Sequence, residues 1–425
     1  MSGTRRRGRW SKCRGRSLVA AVVSALALSG CGAKGKVPGD LIPGRTLTIY
    51  SSAPQHGASR VNAAAVVGGE IMALSQSHYR LGHFRIVFKS LDDSTPQRGE
   101  WDPGQTTLNA RIAANDPTTI GYIGEFNSGA SAISIPLLNR IGIAQISPAS
   151  TAVGLTSAGP GAAPGEPGKY YPSGNRTYAR IVPSDAVEAV AQVRSQESEG
   201  CTKTFVLDDG EVDGLDTATS FVLAAQRSHL KVGAVQAFDP KATDYRPLAA
   251  AIGKSGANCV MISAITENNA VLLTKQIAAA LPSVKIFGSA GVAESTFTDA
   301  AQGGIPSTLD PRVMITVATL DPAAYPAAAR AFYSAYARAY GAAQPYAIYG
   351  YEATNLLLSA ITRATDHGRA PARRSAVVAA LFATRDRHSV LGTYSIQRDG
   401  DTTIKRYGVY RVLHGQLAFW KVIDA

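Results

Sequence analysis

Residues 119–151 read TIGYIGEFNSGASAISIPLLNRIGIAQISPAST. The apolar run 119–124 is too short for a helix and ends in Glu125-Phe126-Asn127-Ser128-Gly129-Ala130. A helical pattern covers 131–140, and a second apolar run, 143–146, ends in Ser147-Pro148-Ala149-Ser150-Thr151. Two short apolar runs bridged by one helix make a βαβ unit, whose parallel strands are buried on both faces. Asn127 or Ser128 can cap the helix. The free N–H groups of its first turn, with Gly129 allowing close approach, suit a carboxylate or phosphate. Both loops leave the C-terminal edge of one parallel sheet, where open α/β folds place ligands. Plain caps and turns account for the same Ser, Asn and Thr residues.

The rhythm extends in both directions. Strands are expected at 46–50 and 83–91, with helices at 58–75 and 105–114. A Gly/Pro-rich stretch at 159–175 reads as a loop. A second series of strands follows near 178–182, 204–207, 232–238, 259–263 and 285–288, separated by helical pattern. Then come a strand at 313–319 and helices at 326–340, 346–363 and 374–384. Tyr407 to Leu413, His414-Gly415 and Leu417 to Ile423 read as a β-hairpin. The expected fold class is α/β, with two doubly wound lobes.

The first 16 residues carry seven basic side chains, and an apolar stretch from Leu18 closes in Leu28-Ser29-Gly30-Cys31. About a dozen apolar residues cannot span a bilayer, so this reads as an export signal over 1–30. The ending resembles the lipobox of bacterial lipoproteins, which implies a diacylated Cys31 as the first mature residue. Two acyl chains anchor stably where one does not. An ordinary signal peptide, or a cytosolic chain with a basic arm, is the alternative. Arg5-Arg6-Arg7 leaves the twin-arginine and general secretion routes both open. Residues 31–45 read as a tether.

Setting the signal aside lowers the formal net charge of the 425-residue chain from +12 to +5, which removes the main support for nucleic-acid binding. With 45% hydrophobic and 17% charged residues, the rest can bury the core of two domains. Cys201 and Cys259 are the cysteines left after Cys13 and Cys31. Each stands just before a buried parallel strand, and adjacency of those strands would put the thiols within disulfide reach. Two separately buried thiols are the alternative.

Tyr122-Ile123-Gly124-Glu125-Phe126-Asn127-Ser128, the helix after it, and Ile146-Ser147-Pro148-Ala149-Ser150-Thr151 resemble the substrate-binding proteins of branched-chain amino-acid ABC transporters, the type I periplasmic-binding fold. So do Leu91-Asp92-Asp93, Asp239-Pro240-Lys241 with Asp244-Tyr245, Gly288-Ser289-Ala290-Gly291-Val292-Ala293 and the stretch Tyr346 to Ala353. The resemblance implies lobes at 46–183 with 313–387 and at 184–312 with 388–425, joined by crossings near Val182, Val313 and His388. It also implies that Ser128, the Ala149 backbone and Thr151, with Ser150 beside them, hold the ligand's carboxylate and amino group. Where relatives commonly carry an acid to pair the ammonium, this chain has Ala290. Asp213 stands where relatives often have Tyr and is a candidate for the missing charge. Thr266 and Glu267 end another strand facing the same cleft, and His56 lies in the loop Ser51 to Gly57 that also meets it.

No Walker A sequence, no Gly-x-Gly-x-x-Gly after a strand, no nucleophile elbow and no His pair at metal spacing is present. Ser128 with His56 is the one conceivable nucleophile and base, so no catalytic residue, cofactor or metal is expected. The expected protein is a monomeric, lipid-anchored, extracytoplasmic binding protein. Its partners are a small polar solute, such as a branched-chain amino acid, and ABC permease subunits, with no nucleic acid. A same-fold sensor for amides or peptide-like compounds is the alternative.

Overall fold

The computed structural model describes residues 39–159 and 161–425; the expected signal peptide, Cys31 and the first part of the tether lie outside them. The first lobe is built on strands β1 (Thr46–Ala53), β2 (Phe84–Asp92), β3 (Thr119–Ile123), β4 (Ala144–Ser147) and β5 (Tyr178–Arg180). They pair in the order β2-β1-β3-β4-β5, all parallel, with the two-residue strand Arg80–Leu81 antiparallel at the β2 edge. Helices α1 (Arg60–Gln76), α2 (Pro103–Asn115) and α3 (Ser128–Asn139) make the crossovers. Asp102 caps α2 by accepting the Gln105 N–H at 2.9 Å, with Pro103 at the first helical position. Every residue of β3 is buried, as a central parallel strand covered on both faces requires.

The second lobe repeats the plan. Helix α4 (Asp185–Ser198) precedes strand β6 (Lys203–Asp208), followed by α5 (Val212–Ala225), β7 (Lys231–Ala237), α6 (Arg246–Ser255), β8 (Cys259–Ser263), α7 (Val271–Ala280), β9 (Lys285–Gly288) and β10 (Val313–Val317). Then come α8 (Ala327–Tyr340), α9 (Ala347–Ala364), α10 (Arg374–Phe382) and the hairpin β11 (Arg406–Leu413) and β12 (Gln416–Asp424). The sheet order is β7-β6-β8-β9-β10-β11-β12, with only the β10–β11 and β11–β12 pairs antiparallel. The hairpin turn places His414 at φ 52° and Gly415 at φ 75°, the two left-handed residues that match strand twist. In both sheets the strand order reverses beside the first strand, so both C-terminal edges offer a ligand crevice.

Three boundaries differ from the sequence expectation. Strand β10 pairs with β9 and β11, so Val313 does not begin the first lobe and the crossing lies beyond Val317. Near the expected crossing at His388, the chain stays on the first lobe: Arg387 Nε bonds Glu352 of α9 at 2.6 Å and Asp401 Oδ1 accepts from Arg180 of β5 at 2.7 Å. The expected tether is also shorter. Leu41 bridges Arg373 and the Ile42 N–H donates to Ala372 O at 2.9 Å, seating residues 39–42 on the first lobe. The loop 159–175 is likewise less free than its composition suggests, because Tyr170 and Tyr171 are buried against Ile135 and Leu155.

Cys201 and Cys259 form a disulfide with a Cα–Cα separation of 5.8 Å. Cys259 lies opposite Thr204 in the β8–β6 register, which is the adjacency the doubly wound order demands.

Candidate ligand-binding site

Strands β3 and β4 both end at the cleft. The Ser128 Oγ accepts the N–H groups of Thr151 and Ala152, each at 3.2 Å, so one hydroxyl ties the two strand-end loops together. Arg180 supports them from behind. It is fully buried, with its guanidinium on Ala152 O at 2.6 Å, Thr156 Oγ1 at 2.7 Å and Asp401 Oδ1 at 2.7 Å. The hydroxyl protons point across the cleft. Ser128 Oγ and Thr151 Oγ1 donate to the same oxygen, Asp213 Oδ1, at 3.0 and 2.9 Å. Two hydroxyls of one lobe thus hold a carboxylate, and that carboxylate comes from α5 of the other lobe.

The lobes meet at further points. Ser59 donates its N–H and hydroxyl to Glu267 Oε1 at 3.0 and 3.1 Å, Asn62 Nδ2 donates to Ala293 O at 3.3 Å, and the Gly154 N–H donates to Asp216 Oδ2 at 3.2 Å. This is a closed arrangement. The free space left between them in this closed form is only about 40 Å³, so a solute larger than a water enters only when the lobes part. Trp101, Phe126, Tyr346 and Ala149 line it from one side, and Glu211, Ile265, Ala290 and Glu294 from the other. A Cβ at Gly129 would come within 2.5 Å of the Trp101 ring, so this glycine lets the ring lie against the start of α3. Phe126 packs edge-on to Tyr346 at 5.4 Å between centroids.

The cleft is acidic. Burial, then Asp209 and Glu100, push Glu211 up to about 7. Burial, then Glu267, push Glu294 well above the carboxylate range. Burial also raises Asp213, against the Thr151 and Ser128 hydrogen bonds. No Lys, Arg or His side chain lines the cleft, and among the described residues no group of three metal-ligating side chains occurs.

A family model described as periplasmic binding protein matches residues 99–416. The chain belongs to the periplasmic binding protein family. A search of curated proteins finds no match. Solved structures of similar fold include a leucine-binding protein of Thermotoga maritima, 18% identical over 89% of this chain and 99% of that one, with TM-score 0.74. A branched-chain amino-acid transporter substrate-binding protein of Streptococcus pneumoniae, in complex with isoleucine, is 17% identical over 89% and 100%, with TM-score 0.71. A solute-binding protein of R. palustris, in complex with benzoate, is 17% identical over 89% and 96%, with TM-score 0.69. These likenesses confirm the type I periplasmic-binding fold. The molecule is a binding protein and not an enzyme.

Of the residues singled out in the sequence, Ser128, Ala149, Thr151, Asp213 and Ala290 line the cleft of this binding protein. Four others do not, Glu267 among them, which instead accepts from Ser59. Ser150 turns inward, its Oγ 2.8 Å from Ser131 Oγ and 3.0 Å from the Glu125 carbonyl. Thr266 lies behind the lining with its hydroxyl 3.4 Å from Gly291 O. His56 is half-exposed and 3.4 Å from Asp92 Oδ2, away from Ser128. The acid missing at Ala290 has a buried neighbour, since the Ala290 N–H donates to Glu188 Oε1 at 3.0 Å. Sequence reading missed Trp101, Phe126, Tyr346, Glu211 and Glu294 as cleft residues. The available signal was Glu294, four residues after the alanine that replaces the expected acid.

Proposed function

We propose that this chain is a lipid-anchored extracytoplasmic receptor that captures a small polar solute between its lobes and presents it to an ABC permease. The observation that carries the reading is the cleft itself: its hydroxyls belong to one lobe and its carboxylates to the other, so the site is complete only when the lobes close. A solute touching both walls stabilises the closed form and signals occupancy to a membrane partner. Similar folds described as binding leucine, isoleucine and benzoate support a small organic solute. Ser128, Ala149 and Thr151 resemble a carboxylate grip, and in the closed form the two hydroxyls already hold a carboxylate, that of Asp213.

The test is thermal unfolding of the purified full chain in detergent, with and without a small-molecule extract of bacterial cells. A raised midpoint supports capture; no rise at any extract concentration counts against it. Replacing Ser128 or Thr151 with Ala removes one hydroxyl from a desolvated charged partner, a loss of roughly 1.5 to 3 kcal/mol. Each variant should bind about 10- to 150-fold more weakly, and wild-type affinity in both would place the site elsewhere.

Membrane attachment is assigned to Cys31, and among the described residues no helix is long and apolar enough to cross a membrane. Cys31→Ala should shift the protein from the detergent phase to the aqueous phase on phase partitioning. Unchanged partitioning of the variant would remove the anchor from the proposal.

A further inference from the structure

Resting on that capture reading, we infer that the solute taken by this cleft is an organic cation, an amine or quaternary ammonium compound with an apolar or aromatic body. Glu294 carries the argument. Its side chain is 6% exposed, it lines the cleft, and its Oε2 has no hydrogen-bond partner. Such an acid keeps its proton while the cleft is empty, as burial and Glu267 favour here, and ionises when a positive charge meets it. Glu211 and Asp213 face the same space, and the cation whose charge reaches Asp213, Arg180, is already paired with Asp401. Arg98, whose charge reaches Glu211, is itself paired with Glu100 and lies 3.9 Å from Asp102.

The opposite wall fits the same class. Trp101, Phe126 and Tyr346 supply aromatic surface, and a cation beside aromatic rings gains electrostatic attraction that grows as water is excluded. An aromatic wall also favours an organic ammonium over a bare metal ion, which seeks several oxygen ligands. A carboxylated solute fits poorly. The two hydroxyls that would receive its carboxylate already hold Asp213, so an incoming anion has to displace one acid and then meet two more. Leucine, isoleucine and benzoate all bring that anion.

The experiment divides the same cell extract on a weak cation exchanger at pH 7 and applies both fractions to the full chain in detergent. The retained fraction should raise the unfolding midpoint, and the flow-through should not. Putrescine, agmatine, choline and phenethylamine serve as defined probes against leucine and benzoate. Glu294→Gln should bind the stabilising cation at least tenfold more weakly while its ligand-free midpoint does not fall. If that variant fails to fold, Glu211→Gln carries the same test. Stabilisation by the flow-through overturns the cation assignment and leaves capture standing. Stabilisation by neither fraction overturns both. Wild-type affinity in the Glu variant would overturn the assignment of the unpaired carboxylate.

Discussion

Unfolding at pH 9 should require less denaturant than unfolding at pH 5, and Glu70→Gln should remove a large part of the difference. Glu70 lies in α1, 1% exposed, and neither of its carboxylate oxygens has a hydrogen-bond partner. Burial pushes its pKa from 4.5 up to about 8. Glu188 likewise reaches about 8, and Asp216 about 7, in each case with burial as the main cause. The sign follows from proton counts. Between the unfolded and folded values the native state holds the proton that the unfolded chain has released. Stability therefore declines as pH rises through that window, here from about 4.5 to about 8. At about 1.4 kcal/mol per pH unit, Glu70 alone sets a ceiling of roughly 5 kcal/mol, which relaxation and water entry would lower.

The check is chemical denaturation of both proteins at several pH values. Gln keeps the shape of Glu70 and cannot ionise, so the variant should match wild type near pH 5 and exceed it by a few kcal/mol near pH 9. Parallel curves for the two proteins would show that Glu70 is ionised in the folded chain, contrary to its burial.

The alternation of strands and helices was legible because it depends on local pattern. Short apolar runs such as 119–124 and 259–263 appear as strands buried along their length. The register of the hairpin followed from His414-Gly415. What stayed hidden is set at long range. Whether residues 313–317 join the first or second sheet is decided by pairing with β11, about 90 residues onward, and nothing in the run itself records that partner. The cleft divides the same way. Ser128 and Thr151 follow strand ends, which are visible in sequence; Trp101 stands in a two-residue strand paired with Ser94, and Glu294 and Tyr346 stand just before helices. Ser150 and Thr151 are neighbours of similar chemistry, yet one bonds Ser131 and the other crosses to Asp213. That difference is rotational and leaves no trace in spacing.

Replacing Cys201 and Cys259 together with Ala should lower stability by about 4 kcal/mol, the chain-entropy value for a closed loop of this length, given a sequence separation of 58. The loop contains β6, α5, β7 and α6, so the bond holds one end of the second lobe's central strands while the other end carries Glu211 and Asp213 into the cleft. The effect belongs mainly to the unfolded chain, and distortion or residual structure would make it smaller. A cycle of variants tests the pairing. Either single substitution breaks the same bond, so each should cost nearly as much as the double, and strict additivity would contradict a shared bond. The substitutions lie at the N-terminal strand ends, away from the C-terminal edge that builds the cleft. Affinity for the solute should therefore change little while the denaturation midpoint falls. Two titratable thiols in the exported, unfolded wild-type protein would rule the bond out, as would an unchanged midpoint in the double variant.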